Sequence, residues 1–474
     1  MRQKILLYNP EAVFYDMPLA LLAIGSALDP ARYEVVIVDA RVEPNAHAKA
    51  VEIAREAVCM GVTVLTGRPL RDALAATRKV RAACPSLPIV WGGWHPSLFG
   101  REILEQEPSV DVTVQGQGEE TFRELVEHFG IGAPLDGVAG ICFREKTGSG
   151  GIRQNPARAL TDMNFLPQVN YDLIDAEPYF RAKKRRQLDY ISSTGCRFRC
   201  TFCADPQVFN RKWTAIEPDR LGEEFAHWHR KFGFTDVNFQ DETFFTKRSR
   251  VVGVAEEFLR RDLNITWAGT MRADQGFRLT DEEFALVKRS GLRRVLVGVE
   301  SGSQEMMDWL KKDIKMEQVW HVAEQCRRLG IEVIFPFIVG FPGESEASFR
   351  ASLDMAKRLR AMSPGFTTPI FYFKPYPGSA ITQEVVSQGY VLPQTLDEWA
   401  DFDYVGGSSG PWVSAERFRL VERFKFYNKA AFRRASWLTA PVQWLARQRM
   451  RFDFFEWPVE KFLAERLLPQ QQLS

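Results

Sequence analysis

The chain has 474 residues, 45% hydrophobic and 26% charged, with 62 Lys and Arg against 60 Asp and Glu. That length exceeds one small core and predicts two or three domains. The near-balanced charge argues against a nucleic-acid partner, which needs a strongly basic face. Seven cysteines at this density exclude a disulfide-framed secreted module. No apolar run approaches the roughly 18 residues of a membrane span, and the opening residues lack the apolar stretch of a signal peptide, so the expected compartment is the cytoplasm.

Residues 1–135 alternate short apolar runs with helical stretches. Ile5–Tyr8, Val35–Val38, Gly61–Leu65, Ile89–Trp91 and Val110–Val114 read as strands. Segments near 18–28, 46–58, 69–83, 97–106 and 118–129 read as helices. Continuous apolar strands between helices predict a doubly wound, flavodoxin-like parallel sheet, with ligands at the loops beyond the strands' carboxyl ends. Residues 136–187 read as a linker and a small hairpin with a polar tip at Thr147–Gly151.

A second βα series fills residues 188–380. Its strands are Leu188–Ser193, Asp236–Gln240, Ile265–Thr270, Arg294–Val299, Glu332–Val339 and Ile370–Phe373. Amphipathic helices separate them, near 218–232, 247–261, 280–290, 316–329 and 344–360. Six such units predict a partial (β/α)6 barrel, whose active residues lie at strand carboxyl ends.

Residues 381–474 read as a helical C-terminal region. Its final part, 411–474, carries 12 Lys and Arg against 6 Asp and Glu. Phe418, Val421, Phe424, Tyr427, Ala431, Ala435 and Leu438 recur at helical spacing, with Arg417, Arg419, Arg423, Lys425, Arg433 and Arg434 mainly off that stripe. This predicts a basic amphipathic helix packed on the barrel, with peripheral contact to a membrane surface or acidic lipid as the sharper alternative. A second aromatic and basic patch runs from Trp444 to Trp457.

Directly after the first barrel strand stands Cys196-Arg-Phe-Arg-Cys200-Thr-Phe-Cys203. Three thiolates on one short loop suit a cluster or metal. They cannot fill a tetrahedral zinc site alone, whereas in a cubane cluster they leave one iron open. The triplet resembles the signature of the radical S-adenosylmethionine (SAM) superfamily, in which three cysteines hold a 4Fe-4S cluster. There the open iron binds SAM, and one electron releases a 5′-deoxyadenosyl radical. Phe202 matches the family's usual aromatic before the third cysteine.

Further matches follow in the family's order. Gln240-Asp241-Glu242-Thr243-Phe244 resembles the acidic stretch that receives the SAM amino group, with Asp241 and Glu242 both open as the acceptor. The resemblance places Arg272 on the SAM carboxylate, Glu300 and Ser301 toward ribose or methionine, and Gly340 and Phe341 on the adenine side.

The N-terminal sheet resembles the cobalamin-binding domain of one large subclass of these enzymes. Gly92-Gly93-Trp94-His95-Pro96, Gln115-Gly116-Gln117-Gly118-Glu119, Asp39 and the linker Leu160–Pro167 carry that resemblance. It implies cobalamin contacts from Asp39, Thr66, Gly92, Gly93, His95, Gly116, Gly118 and Glu119, while His95 also suits a structural role in its loop. Where many cobalamin proteins have a cobalt-ligating histidine, this chain has Arg41. Tyr372 and Tyr376 are expected at the substrate mouth.

The resemblance implies three cofactors: a 4Fe-4S cluster, SAM and cobalamin. It implies methylation of an unactivated carbon in a small-molecule or lipid substrate, with flavodoxin or ferredoxin as electron donor. The alternative is an oxidative cyclase or rearrangement enzyme using the same cofactors, of which the oxygen-independent magnesium-protoporphyrin monomethyl ester cyclase is an example. A transfer-RNA methylthiotransferase would need a second cysteine cluster, and Cys59, Cys84, Cys142 and Cys326 are scattered.

Overall fold

The computed structural model describes residues 2–145, 151–403, 405–432 and 440–462. Residues 147–150 of the expected hairpin tip, and Arg433, Arg434, Ala435 and Leu438 of the expected C-terminal helix, lie outside the described residues. The chain divides into two units. One comprises Met1–Phe244, Gly253–Trp267 and Pro375–Tyr404; the other comprises Phe245–Val252, Ala268–Lys374 and Val405–Ser474.

The first unit is built on seven strands: β1 (Gln3–Asn9), β2 (Tyr33–Asp39), β3 (Ala57–Thr63), β4 (Ile89–Gly92), β5 (Val112–Val114), β6 (Ile141–Arg144) and β7 (Ile152–Gln154). They form one sheet in the order β2-β1-β3-β4-β5-β6-β7. The first five run parallel, and β6 and β7 add an antiparallel edge. Both faces are covered. From β1, Leu6 and Tyr8 enter one core with Ala50, Leu70, Leu74 and Trp91. Ile5 and Leu7 enter the other with Leu21, Phe122 and Leu125. Two-sided burial is why β1 reads as an unbroken apolar run. Each such leucine contributes roughly 2 kcal/mol on leaving water. The chain order reverses beside β1, which opens a crevice at the carboxyl ends of β1 and β3.

The predicted helix near 46–58 ends earlier, at Ala54, and β3 begins at Ala57. Pairing with β1 decides this, since Ile5 opposes Cys59 and Tyr8 opposes Val62. The strand therefore ends at Thr63 rather than at Leu65.

Four further strands belong to the first unit: β8 (Gln187–Tyr190), β9 (Ser193–Gly195), β10 (Trp213–Ala215) and β11 (Asp236–Phe239). β8 and β11 pair in parallel, with Tyr190 opposite Phe239. The predicted strand 188–193 is thus two pieces, because Ser193–Gly195 turns to pair antiparallel with β10. The segment Pro375–Tyr404 also belongs here. Its helix Leu396–Ala400 packs Trp399 into the sheet's core, and Gly67 donates its N–H to the Trp399 carbonyl at 3.0 Å.

β12 (Thr266–Met271) carries the chain into the second unit, which holds β13 (Leu292–Val297), β14 (Glu332–Ile334), β15 (Phe337–Val339), β16 (Phe366–Thr367) and β17 (Ile370–Tyr372). β13, β14 and β16 are parallel neighbours, and β15 pairs separately with β17. The predicted strand 332–339 splits at Pro336, which has no N–H to give to a ladder. Helix Ala415–Phe432 buries Val421, Phe424, Tyr427 and Ala431. Its Arg417 pairs with Glu346 at 2.8 Å and lies over the Phe349 ring. The predicted apolar stripe is therefore a packing face. Among the described residues, no helix is long and apolar enough to cross a membrane.

Candidate active site

The cysteine loop hangs between β9 and β10. Gly195, immediately before Cys196, has φ +82°, and a Cβ there would stand 2.4 Å from the Lys212 carbonyl oxygen. Glycine is thus required where the loop leaves the hairpin. Cys203 N–H donates to the Cys200 carbonyl at 3.2 Å, and Ile381 N–H donates to the Thr201 carbonyl at 3.0 Å. Segment 375–404 thereby braces the loop. Cys196, Cys200, Cys203 and Phe202 are partly exposed. Burial, then the Asp205 carboxylate and the other two sulfurs, push the Cys203 thiol well up. Among the described residues, no three His, Cys, Asp or Glu side chains converge on one metal-sized point. The fit to a cluster rests on three thiolate donors sharing one loop, the donor set iron–sulfur clusters take.

Beside that crevice, beyond β3, β4 and β5, lies a cavity within the first unit, enclosing about 240 Å³ and reaching about 1380 Å³ with its mouth. Gly92, Gly93, Gly116, Gly118 and Glu119 line it, as do Thr194, Phe209 and Glu242 from the cysteine-loop side. A Cβ on Gly116 would meet nothing within 4 Å, and one on Gly92 only Val114 at 3.8 Å. These glycines leave a floor bare of side chains. Gln117 accepts from Thr161 N–H at 2.8 Å, while its Nε2 is buried with no partner. An apolar chamber with an unused amide donor fits a flat corrin ring edged with amide carbonyls. Burial pushes the Glu119 carboxyl up.

Three residues expected at cobalamin do not line this cavity. His95 is wholly buried, its Nδ1 3.0 Å from Thr66 Oγ1, and its ring packs against Phe99 and Trp399. Burial lowers its pKa to about 3, so it is a neutral core histidine. His95 and Thr66 do not line the cavity. Asp39 accepts from Tyr179 Oη at 2.6 Å and Arg41 N–H at 2.9 Å, shaping its own loop. Arg41 lines an adjoining cavity and donates to the Asp16 carbonyl at 3.1 Å. Sequence reasoning missed Thr63, Trp94, Gln117 and Phe209 as cavity walls. Thr63 was legible once β3 ended at 63. Phe209 had no signal in its local pattern.

The pair left open at β11 separates clearly. Asp241 is buried and accepts from Ser192 N–H at 2.7 Å, Ser192 Oγ at 2.8 Å and Ser193 Oγ at 2.6 Å. It ties two loops together. Glu242 lines the cavity with Oε2 unpartnered. Burial and the nearby Asp205 carboxylate raise its pKa to about 8. A carboxylate so placed wants a cation.

In the second unit, Arg272 is buried and donates to Asp274 at 2.9 Å and to the Lys312 carbonyl. Lys312 donates to Glu300 Oε1 at 2.6 Å. Ser301 Oγ lies 3.2 Å from Ser352 Oγ. Gly340, at φ +81°, donates its N–H to Glu344 at 2.8 Å, and Phe341 packs between Trp309 and Phe373. Tyr372, expected at a substrate mouth, is instead buried: its hydroxyl donates to Glu422 at 2.9 Å and its ring stacks on Phe418. Tyr376, in the first unit, is half-buried against Phe402.

Residues 9–126 match the B12 binding domain, and residues 190–356 match the radical SAM superfamily. The chain is a radical SAM enzyme with a B12-binding domain. An uncharacterized methyltransferase of Pyrococcus horikoshii is 25% identical to it over 391 residues, covering 82% of each chain. The anaerobic magnesium-protoporphyrin IX monomethyl ester cyclase of Synechocystis is 28% identical, covering 71% of this chain and 67% of the cyclase. Among solved structures, the radical SAM methyltransferase TsrM of Kitasatospora setae, with cobalamin and a [4Fe-4S] cluster bound, superposes with a TM-score of 0.70. It is 19% identical and covers 86% of this chain and 83% of its own. That likeness establishes a shared fold for this radical SAM enzyme. Its cofactors are a 4Fe-4S cluster, SAM and cobalamin.

The bare glycine floor carries a prediction. Gly92→Leu introduces a side chain where a Cβ strains nothing, so the melting temperature should hold while cobalamin retention falls by about tenfold or more. Bound cobalamin counted after gel filtration checks it; unchanged retention would remove this cavity as the site.

Proposed function

We propose that this enzyme is a C-methyltransferase, replacing hydrogen by methyl on an unactivated carbon of a small-molecule or lipid substrate. One observation carries the reading: a single cavity is lined both by the glycine loops at the sheet's edge and by Thr194, Phe209 and Glu242 beside the cysteine loop. When bound, the cluster and SAM supply one-electron hydrogen abstraction, and cobalamin supplies a methyl group.

Cys196, Cys200 and Cys203 hold the cluster. Glu242 receives the SAM ammonium, and Asp241 keeps the Glu242 loop in place. Leu166, Val169, Ile191 and Ile216 keep the chamber apolar and exclude water from reactive species. By the family resemblance, Arg272, Glu300, Ser301, Gly340 and Phe341 are further SAM contacts. Methyltransferase names among the relatives support the reading. Flavodoxin or ferredoxin supplies the electron. Exposed Trp444, Phe452 and Trp457, with Arg451 and Lys461 nearby, support a lipid surface as a peripheral partner.

The test is anaerobic reconstitution with iron, sulfide, cobalamin, SAM and dithionite, followed by mass spectrometry of products. The expected outcome is 5′-deoxyadenosine together with a substrate heavier by about 14 mass units per turnover, one methyl in place of one hydrogen. A product with a new ring and no added methyl would replace this reading with the cyclase.

A further inference from the structure

Lys312 belongs to none of the motifs that mark this enzyme, and it lies 12 residues beyond Glu300. Yet the fold brings it to two of the residues proposed for SAM. Its ammonium donates to Glu300 Oε1 at 2.6 Å, in a pair whose side chains are only 6% and 10% exposed. Its carbonyl oxygen accepts from the Arg272 guanidinium, which also holds Asp274.

Glu300 itself sits in an uncommon conformation, φ +65°, normally left to glycine or asparagine. Its backbone is pinned on both sides: its N–H donates to the Pro336 carbonyl at 3.0 Å, and its carbonyl accepts from Ile338 at 2.8 Å. The main chain therefore sets where the side chain starts, and Lys312 sets where the carboxylate ends. The space for that pair is made by Gly298. A Cβ there would lie 2.5 Å from Glu300 Oε1 and 2.9 Å from Lys312 Nζ. A buried ion pair of this kind is weak evidence for stability, because desolvation of both charges offsets their attraction; its better use is to fix a geometry.

We infer that Lys312 is a positioning residue for SAM: by holding the Glu300 carboxylate, and with its carbonyl the Arg272 guanidinium, it presents both groups to the cofactor. The inference rests on the proposed assignment of Glu300 and Arg272 to SAM.

A double-mutant cycle on the full-length, cluster-reconstituted enzyme tests it, with S-adenosylhomocysteine as a redox-inert probe and equilibrium affinity as the readout. Cobalamin retention and iron content serve as controls that a merely structural defect would also move. Lys312→Met should weaken probe binding by about 10-fold or more, and Lys312→Arg should restore most of it. Glu300→Gln should weaken binding by a similar factor. In the Glu300→Gln background, which also spares the fold an unpaired buried carboxylate, Lys312→Met should add little. Gly298→Ala should mimic Lys312→Met.

Full probe affinity in Lys312→Met, or a loss that simply multiplies with that of Glu300→Gln, overturns the inference while leaving Glu300 in the SAM site. Full affinity in both Glu300→Gln and Arg272→Lys removes the underlying assignment instead.

Discussion

Gly195→Ala is expected to cost the enzyme its iron–sulfur centre, with iron incorporation on anaerobic reconstitution falling by about tenfold or more and 5′-deoxyadenosine formation with it. Two effects add. A left-handed φ of +82° is strained by about 1–2 kcal/mol for any residue with a Cβ. The new carbon would also lie 2.4 Å from the Lys212 carbonyl oxygen. That oxygen is backbone at the entrance to β10, whose Trp213 pairs with Gly195 itself, so it cannot swing aside as a side chain would. The hairpin must open, and the cysteine loop it carries loses its footing. Gly233→Ala is the control: it is also left-handed, at φ +57°, but nothing lies within 4 Å of its Cβ, so it should lose only the conformational term. Equal iron content in Gly195→Ala and wild type would show that the hairpin does not hold the loop.

Asp241→Asn and Glu242→Gln should part company, although the residues are adjacent and similar. Asp241 accepts three hydrogen bonds from Ser192 and Ser193 in a buried setting. An amide there keeps the bond from Ser192 N–H but replaces the carboxylate oxygen held by both hydroxyls with a neutral donor to which they must reorient, at a cost of about 1–3 kcal/mol, so the melting temperature should drop by several degrees. Glu242 carries a buried, partnerless oxygen, so Gln should hold or raise the melting temperature at neutral pH while weakening SAM binding by about 10-fold or more.

The pH dependence follows from the direction of the shift. The folded pKa is raised to about 8 from an ordinary 4.5, chiefly by burial. The folded state therefore holds the proton more tightly than the unfolded state. Its contribution to stability is complete below pH 4.5 and is lost as pH rises toward 8. In SAM-free enzyme Glu242→Gln should flatten that slope in denaturant titrations. The same slope in both proteins would show that Glu242 is not the group responsible.

Much of this was legible along the chain. A cysteine triplet after a strand, and glycine pairs after two others, are local patterns, and the resemblance that gives them their chemistry is carried by spacing and residue type. The stripe Phe418–Val421–Phe424–Tyr427 announced its buried face by period alone. Other features failed for reasons of register and packing. Strand β3 shifted because pairing with β1, not its own composition, chose its ends, and this moved the cavity wall from Thr66 to Thr63. His95 sits in a loop rich in ligand-like residues, yet Trp399, about 300 positions later, folds over it and makes it core. Tyr372 had the look of a mouth residue until helix Ala415–Phe432 covered it and Glu422 took its hydroxyl.

By itself, the sequence carried the resemblance that names the three cofactors, because the cysteine triplet and loop glycines it rests on are local patterns. Only the tertiary structure showed that Asp241 is held by Ser192 and Ser193 while Glu242 Oε2 lacks a partner, and only it brought Lys312 to Glu300. Whether a carboxylate is already satisfied, or which cation reaches it, depends on partners that chain distance does not predict. The odd number of cysteines follows the same division. Spacing sets three of the seven apart as a loop, and burial shows Cys59, Cys142 and Cys326 to be core residues.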